Sequence, residues 1–264
     1  MLQLVRTIRA RIYTIPIYYK KVFFSINDLD KRSFNKSSSI LRKKGIKVNK
    51  GICFKEVNNF YRSYKKAKEN ILPFVTVKLA VSKDFFMVNK EKKWITNEYS
   101  RSRAHIIRSE HDCIMTSAKT LIKDNSRLTC RINGLENTSP TRIILDRKLN
   151  SPLNLKIFKY ASKIRTIIFH NDYNKRKIKL FKKNKVETYK VQLDKNNNLD
   201  LSAVLKKVKK MGFHRILLEA GPSLSKSFII QNLADDLRIF ISKDKIGKSG
   251  IFNIKNFLSK KLKN

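Results

Sequence analysis

The chain is poor in acids, glycine, proline and cysteine. Its 264 residues include 20 Asp or Glu against 60 Lys or Arg, with 7 glycines, 5 prolines, 3 cysteines and a single tryptophan. So little glycine and proline excludes a collagen-like or low-complexity chain. Cys53, Cys113 and Cys130 lie far apart and never in Cys-x-x-Cys spacing. That excludes a disulfide framework, argues against any metal site and fits a reducing, cytoplasmic compartment. Cys113 lies in an apolar run and reads as a small core residue. No apolar run approaches the roughly 18 residues of a membrane span, so no membrane partner is expected. The shortage of acids leaves a formal net charge of +40. Charge of that size ordinarily points to nucleic acid or an anionic surface. Here the lysines are spread over nearly every segment, together with Ile and Asn, and no nucleic-acid-reading motif accompanies them. A solvated lysine coat therefore outweighs a nucleic-acid partner, and a general attraction for phosphorylated small molecules follows in either case.

The apolar pattern carries more information. Residues 1–19 mix arginines with apolar side chains and lack acids; they loosely resemble a transit peptide and stand as an unexplained leader. Residues 22–26 predict a short strand, 37–44 a helix stopped by Gly45, 46–48 a second strand, and 54–68 a charged helix with Val57, Phe60 and Tyr61 at helical spacing. Residues 20–70 thus form a small α/β fragment, too small to stand alone. From Pro73 onward, strands are predicted at 74–80, 113–116, 142–145, 166–169, 216–218 and 237–241. Helices are predicted at 96–109 and 201–211. The alternation implies an α/β domain over residues 71–250, three-layered, with a mainly parallel central sheet. Residues 251–264 read as a basic tail.

In such sheets ligands gather at the carboxyl ends of the strands. Ser82 and Asp84, Thr116 and Ser117, Asp146 and Glu219 all fall at such ends. The richest segment is 216–227, where an apolar run reaches Glu219, breaks at Gly221-Pro222 and restarts on Ser223, Ser225 and Ser227. That order is strand, turn and helix N-terminus, with glycine permitting φ > 0 and proline suited to the first helical turn. It reads equally as an anion site and as an ordinary strand-to-helix connection.

Several blocks in order over residues 73–247 carry a resemblance: Lys78-Leu79-Ala80 with Ser82 and Asp84; Trp94-Ile95-Thr96; Arg108; Thr120 through Arg131; Ile143 to Asp146; and Leu218-Glu219-Ala220-Gly221. Together they resemble the reductase domain of the bifunctional riboflavin-biosynthesis deaminase/reductase. The resemblance implies a dihydrofolate-reductase-like fold. It also implies NADPH-dependent reduction of 5-amino-6-(5-phosphoribosylamino)uracil to the ribitylamino compound. By the same resemblance Ala80, Trp94, Thr120, Asp124 and Gly221, Pro222, Ser223, Leu224, Ser225, Lys226 and Ser227 line the NADPH site. Lys92, Arg108, Leu128, Arg131 and Glu219 meet the phosphorylated pyrimidine. Guanidinium groups suit a sugar phosphate because they offer paired donors and keep their charge. Glu219 and Lys78 are the candidate proton sources; for Lys78 a structural strand lysine is an equal reading.

Departures from the family pattern accompany the match. Ser-x-Asp-Gly becomes Ser82-Lys83-Asp84-Phe85, so the glycine turn is lost and its loop is expected to re-form. Beyond Gly247 little room remains for closing antiparallel strands, which bears on sheet completion and on a homodimer. Val22 to Lys50 resembles the end of the family's deaminase domain, yet neither His-x-Glu nor Pro-Cys-x-x-Cys occurs. His105, His111, His170 and His214 lie in no such context, so no deaminase activity is expected. The alternatives are a catalytically impaired remnant that binds nucleotide or a separate deaminase, and, motivated by charge alone, a basic nucleic-acid-binding module.

Overall fold

A computed structural model describes residues 19–28, 36–69, 71–92 and 94–262. The leader assigned to residues 1–19 lies outside them, apart from Tyr19. The chain divides into two compact units, residues 1–70 and 71–264.

In the first unit, β1 (Lys21–Phe24) and β2 (Lys47–Lys50) pair in parallel, with Val22 opposite Val48. Between them runs α1 (Lys36–Lys43). Its end explains Gly45, which adopts φ 74°. Gly45 N–H donates to Arg42 O at 3.0 Å and Ile46 N–H to Leu41 O at 3.1 Å. These paired bonds satisfy the last carbonyls of the helix, and Leu41 and Ile46 are the hydrophobic pair that accompanies such a cap. The single helix predicted over 54–68 is instead α2 (Phe54–Phe60) and α3 (Arg62–Glu69), parted at Tyr61. Neither helix buries a residue, so no packing enforces one straight rod.

The second unit is built on seven parallel strands. Their spatial order is β10 (Asp236–Ile241), β3 (Phe74–Val81), β9 (Arg215–Leu218), β5 (Cys113–Ser117), β6 (Thr141–Leu145), β7 (Thr166–His170) and β8 (Val186–Lys190). Alternate strand residues feed opposite cores. Val75, Val77, Leu79, Met115, Ile143 and Phe169 pack on one side with α8 (Leu201–Lys210), α9 (Pro222–Ile230) and α10 (Lys255–Leu262). Ile114, Ile144, Ile168 and Leu217 pack on the other with α4 (Glu98–Ser109), α5 (Ala118–Asp124), α6 (Lys156–Lys159) and α7 (Lys175–Lys183). Both faces are covered, which is why the central strands read as near-continuous apolar runs. The three-layer α/β class expected from sequence is the one observed. Cys113 is fully buried, as its apolar run implied.

Two expectations need correcting. Residues beyond Gly247 are not merely a basic tail: β11 (Gly250–Asn253) pairs antiparallel with β4 (Phe86–Asn89), and Leu258 of α10 is 2% exposed in the core. The lysines of this segment mask a sparse apolar pattern of Ile251, Ile254, Phe257 and Leu258. The loop at Ser82-Lys83-Asp84-Phe85 does not re-form either. Phe85 takes the left-handed conformation, φ 65°, that a glycine would supply. Ser82 Oγ donates to Asp84 Oδ1 at 2.6 Å, and Asp84 also accepts from the N–H groups of Ile246 and Gly247 at 3.0 and 2.8 Å. The Ser82 hydroxyl, with these backbone donors, holds the Asp84 carboxyl at about 2 despite opposing desolvation. Phe85 packs against the core, which offsets its backbone strain.

Candidate active site

The helices fix where a crevice opens. After β5 the chain turns to α5, on the face that buries Leu121; after the neighbouring β9 it turns to α9, on the face that buries Phe228. Adjacent parallel strands whose following helices go to opposite faces leave a gap at their carboxyl ends, the usual ligand position in such sheets. Thr120 and Gly221 meet across it. Gly221 N–H donates to Thr120 Oγ1 at 2.9 Å, and Thr120 Oγ1 also lies 2.9 Å from Ser117 Oγ. Gly221 is extended, φ −69° and ψ 174°, so the left-handed freedom anticipated for it is not used. Its requirement is space: a Cβ there would lie 3.1 Å from Thr120 Oγ1.

Pro222 opens α9 at its first turn. Two of the three serine hydroxyls that follow are occupied within the turn. Ser225 is buried and donates to Ala220 O at 3.3 Å, and Ser227 donates to Ser223 O at 3.0 Å. Leu224 packs against the core, while Ser223 and Lys226 are exposed. Any anion held here would therefore meet backbone N–H groups more than side chains.

Beside the crevice lies a nearly buried, two-pronged ion pair. Arg108 Nε and Nη2 donate to Glu219 Oε1 and Oε2 at 2.7 and 2.8 Å, and both side chains are nearly buried, 12% and 11% exposed. A third donor, Nη1, reaches Thr129 O at 3.0 Å. Burial alone would raise the Glu219 carboxyl, but the Arg108 charge and its hydrogen bonds, with Lys78 and His105 further out, hold it at about 2. For Arg108 burial opposes the charge, yet Glu219 raises its pKa. Two expected roles change in consequence. A carboxylate held so firmly ionised is no proton donor at neutral pH, and the Arg108 fork is committed to Glu219 and Thr129, not open to a phosphate.

On β3, Lys78 and Ala80 alternate with the core residues Val77 and Leu79 and so belong to the opposite face, that of α4. Lys78 Nζ stands 5.6 Å from the Phe240 ring, and Ala80 is in register with Phe240. Arg131 is exposed, and its Nη1 reaches Thr129 Oγ1 at 3.4 Å. Partial burial, then the nearby Arg108 and Arg127 charges, lower its pKa. Leu128, expected to meet substrate, instead buries its side chain in the core at 5% exposure. Trp94 is 60% exposed, with Arg101 stacked 5.3 Å from its ring. Lys92 is exposed, and so is Asp124, at the end of α5. The structure thus gathers Lys78, Arg108 and Glu219, and joins Thr120 to Gly221.

Sequence reading missed His105. Its Nδ1 accepts from Arg131 N–H at 3.2 Å and lies 3.4 Å from Arg108 Nη1. Burial, then the Arg108 and Arg131 charges, push it down to about 4, so it is neutral near pH 7. Its place three residues before Arg108, on one helix face, was the available signal.

Comparison with known proteins identifies the family. The model of the RibD C-terminal domain matches residues 73–263. The chain belongs to the RibD C-terminal domain family. The riboflavin biosynthesis protein RibD of Aquifex aeolicus is 30% identical over 231 residues, covering 87% of this chain and 63% of that protein. A Buchnera aphidicola (subsp. Acyrthosiphon pisum) protein named 5-amino-6-(5-phosphoribosylamino)uracil reductase is 26% identical over 172 residues, 61% of this chain and 80% of its own length. Among solved structures, Acinetobacter baumannii RibD matches with a TM-score of 0.70 at 25% identity, covering 92% of this chain and 65% of that one. The Saccharomyces reductase Rib7 shares the fold, with a TM-score of 0.59 at 19% identity over 75% of this chain and 87% of that one. The chain spans about two thirds of the length of the RibD proteins it matches. The fold is thus the dihydrofolate-reductase-like one that the RibD C-terminal domain resemblance implied. Among the described residues no helix is long and apolar enough to cross a membrane.

Proposed function

We propose that this chain reduces 5-amino-6-(5-phosphoribosylamino)uracil to 5-amino-6-(5-phosphoribitylamino)uracil with NADPH. The observation that carries the reading is the Thr120–Gly221 junction, set at the crevice between β5 and β9 and close to the Arg108–Glu219 pair. The residues present fit a dinucleotide. Gly221 leaves room where a side chain would crowd Thr120, and the N-terminus of α9 presents backbone N–H groups and a partial positive charge to phosphates. When bound, NADPH would supply the hydride for the sugar carbon. Thr120 and the turn from Gly221 to Ser227 hold the cofactor's phosphates, with Ala80, Trp94 and Asp124 along its length. Arg131, aided by Lys92, holds the substrate phosphate. Arg108 fixes Glu219, whose ionised carboxylate is left as a hydrogen-bond acceptor for substrate N–H or hydroxyl groups. Hydride addition at the imine carbon of the ring-opened sugar would leave negative charge on the attached nitrogen, and Lys78, on the α4 side of β3, is our candidate to give that nitrogen its proton. Orientation and electrostatic holding account for most of the acceleration.

The polypeptide is not expected to deaminate, because its 264 residues carry neither half of the zinc-deaminase signature. The test is loss of NADPH absorbance with the deaminated pyrimidine, alongside ammonia release from its diamino precursor. Turnover in the first assay and none in the second is the expected pair. Folded protein that neither binds nor oxidises NADPH would sink the reading.

A further inference from the structure

Residues 125–131 form no helix or strand, and Asn125 and Leu128 adopt positive φ, 45° and 53°. Such a segment would ordinarily be loose, with its polar backbone turned to water. Instead its backbone is fastened at successive points by side chains from elsewhere. Arg142 Nη1 donates to Arg127 O at 3.4 Å, and Arg108 Nη1 donates to Thr129 O at 3.0 Å. Ser139 Oγ accepts from Cys130 N–H at 3.0 Å, and His105 Nδ1 accepts from Arg131 N–H at 3.2 Å.

Two of these posts, Arg142 on β6 and His105 on α4, stand on regular elements. Arg142, the second residue of β6, is wholly buried, and its acceptors are neutral oxygens: Arg127 O, Ile164 O at 2.8 Å and Thr166 Oγ1 at 2.5 Å. Its Nε has no hydrogen-bond partner, and burial pushes its pKa down to about 10. An apolar side chain would fill a strand interior at lower cost. The compensation is local: Arg142 ties the sheet to the peptide just before the left-handed Leu128. His105 then holds the segment four residues later, where Arg131 begins. Between these posts the chain brings Arg131 close to both Arg108 and Arg127, an arrangement of like charges that would otherwise spread apart.

We infer that His105 and Arg142 are positioning residues that preform residues 127–131 as a platform presenting Arg131 to the phosphate of the substrate. The inference rests on the proposed function and adds residues that touch neither substrate nor cofactor. His105 serves as an unprotonated acceptor; Arg142 serves as a buried donor.

The test compares wild type, His105→Leu, His105→Gln, Arg142→Met and Arg131→Ala. Calorimetric affinity for ribose 5-phosphate and for NADP+ is measured, with backbone hydrogen exchange over residues 127–131. Losing one neutral hydrogen bond corresponds to about a five-fold effect. His105→Leu should weaken ribose 5-phosphate about five-fold and speed exchange at Arg131, while NADP+ affinity stays within about two-fold. His105→Gln, which keeps an acceptor, should recover part of both. Arg142→Met should weaken the sugar phosphate at least as much. Should it fail to fold, the two His105 variants decide the matter. Unchanged affinity and exchange in folded His105→Leu, or equal loss of NADP+ affinity, overturns the inference. If wild type and Arg131→Ala bind ribose 5-phosphate equally, the phosphate assignment in the proposed function fails and the platform role falls with it. Exchange at Arg131 would then still report whether the posts exist.

Discussion

Replacing Glu219 by Gln removes one charge from a nearly buried pair and leaves the other behind. The Glu219 carboxyl moves from an ordinary 4.5 to about 2 on folding. A displacement of that size corresponds to about 3 kcal/mol of stability. The separate expectation for breaking a buried ion pair by removing one partner is about 3–5 kcal/mol, so the two agree. For a domain of this size that is a fall in Tm of roughly 6–12 °C. The sign with pH follows from a depressed carboxyl. Its contribution is full above about pH 4.5, falls to roughly half near pH 3, and is gone below about pH 2. Scanning calorimetry at fixed salt should therefore show a large gap between wild type and Glu219→Gln at pH 7 and a smaller one at pH 3. Glu219→Gln combined with Arg108→Met should be less unstable than the sum of its parts, because neither charge is stranded. A pH 7 gap below about 2 °C, or one as large at pH 3 as at pH 7, would refute the reasoning.

Three further outcomes are expected. Thr120→Val removes the hydroxyl 2.9 Å from Gly221 N–H, and fluorescence titration should show NADPH binding about five-fold weaker. Lys78→Met should lower kcat by about 100-fold or more with KM for NADPH little changed, as for loss of a proton donor; a KM effect alone would remove Lys78 from that role. Leu258→Ala should destabilise the domain by about 2–4 kcal/mol in urea, because α10 closes one core; a change under about 0.5 kcal/mol would return residues beyond Gly247 to the status of a tail.

The central strands were legible because both faces of the sheet are covered, so Phe74–Val81, Thr141–Leu145 and Thr166–His170 each carry an apolar run. The edge strand Val186–Lys190 was not: it is buried at one residue and otherwise mixes Glu, Thr, Tyr and Lys. Helix Lys175–Lys183 hid in the same way, its core contact carried by buried Phe181 and half-buried Ile178 among lysines. At the site, strand-end residues such as Glu219 could be named from sequence, but their pairing could not. Arg108 and Glu219 are 111 residues apart, and only the packing of α4 beside β9 shows that each answers the other. Arg142 was invisible for a related reason: a charged residue at a strand start reads as solvated until the strands on both sides bury it.

The central claim is tested most directly by the initial rate of NADPH oxidation in the presence of 5-amino-6-(5-phosphoribosylamino)uracil, for wild type beside Arg131→Ala. Substrate-dependent oxidation in wild type, with KM for the pyrimidine raised about ten-fold or more in the variant, is the predicted result. No substrate-dependent oxidation by folded wild type, or the same KM in both, would contradict it.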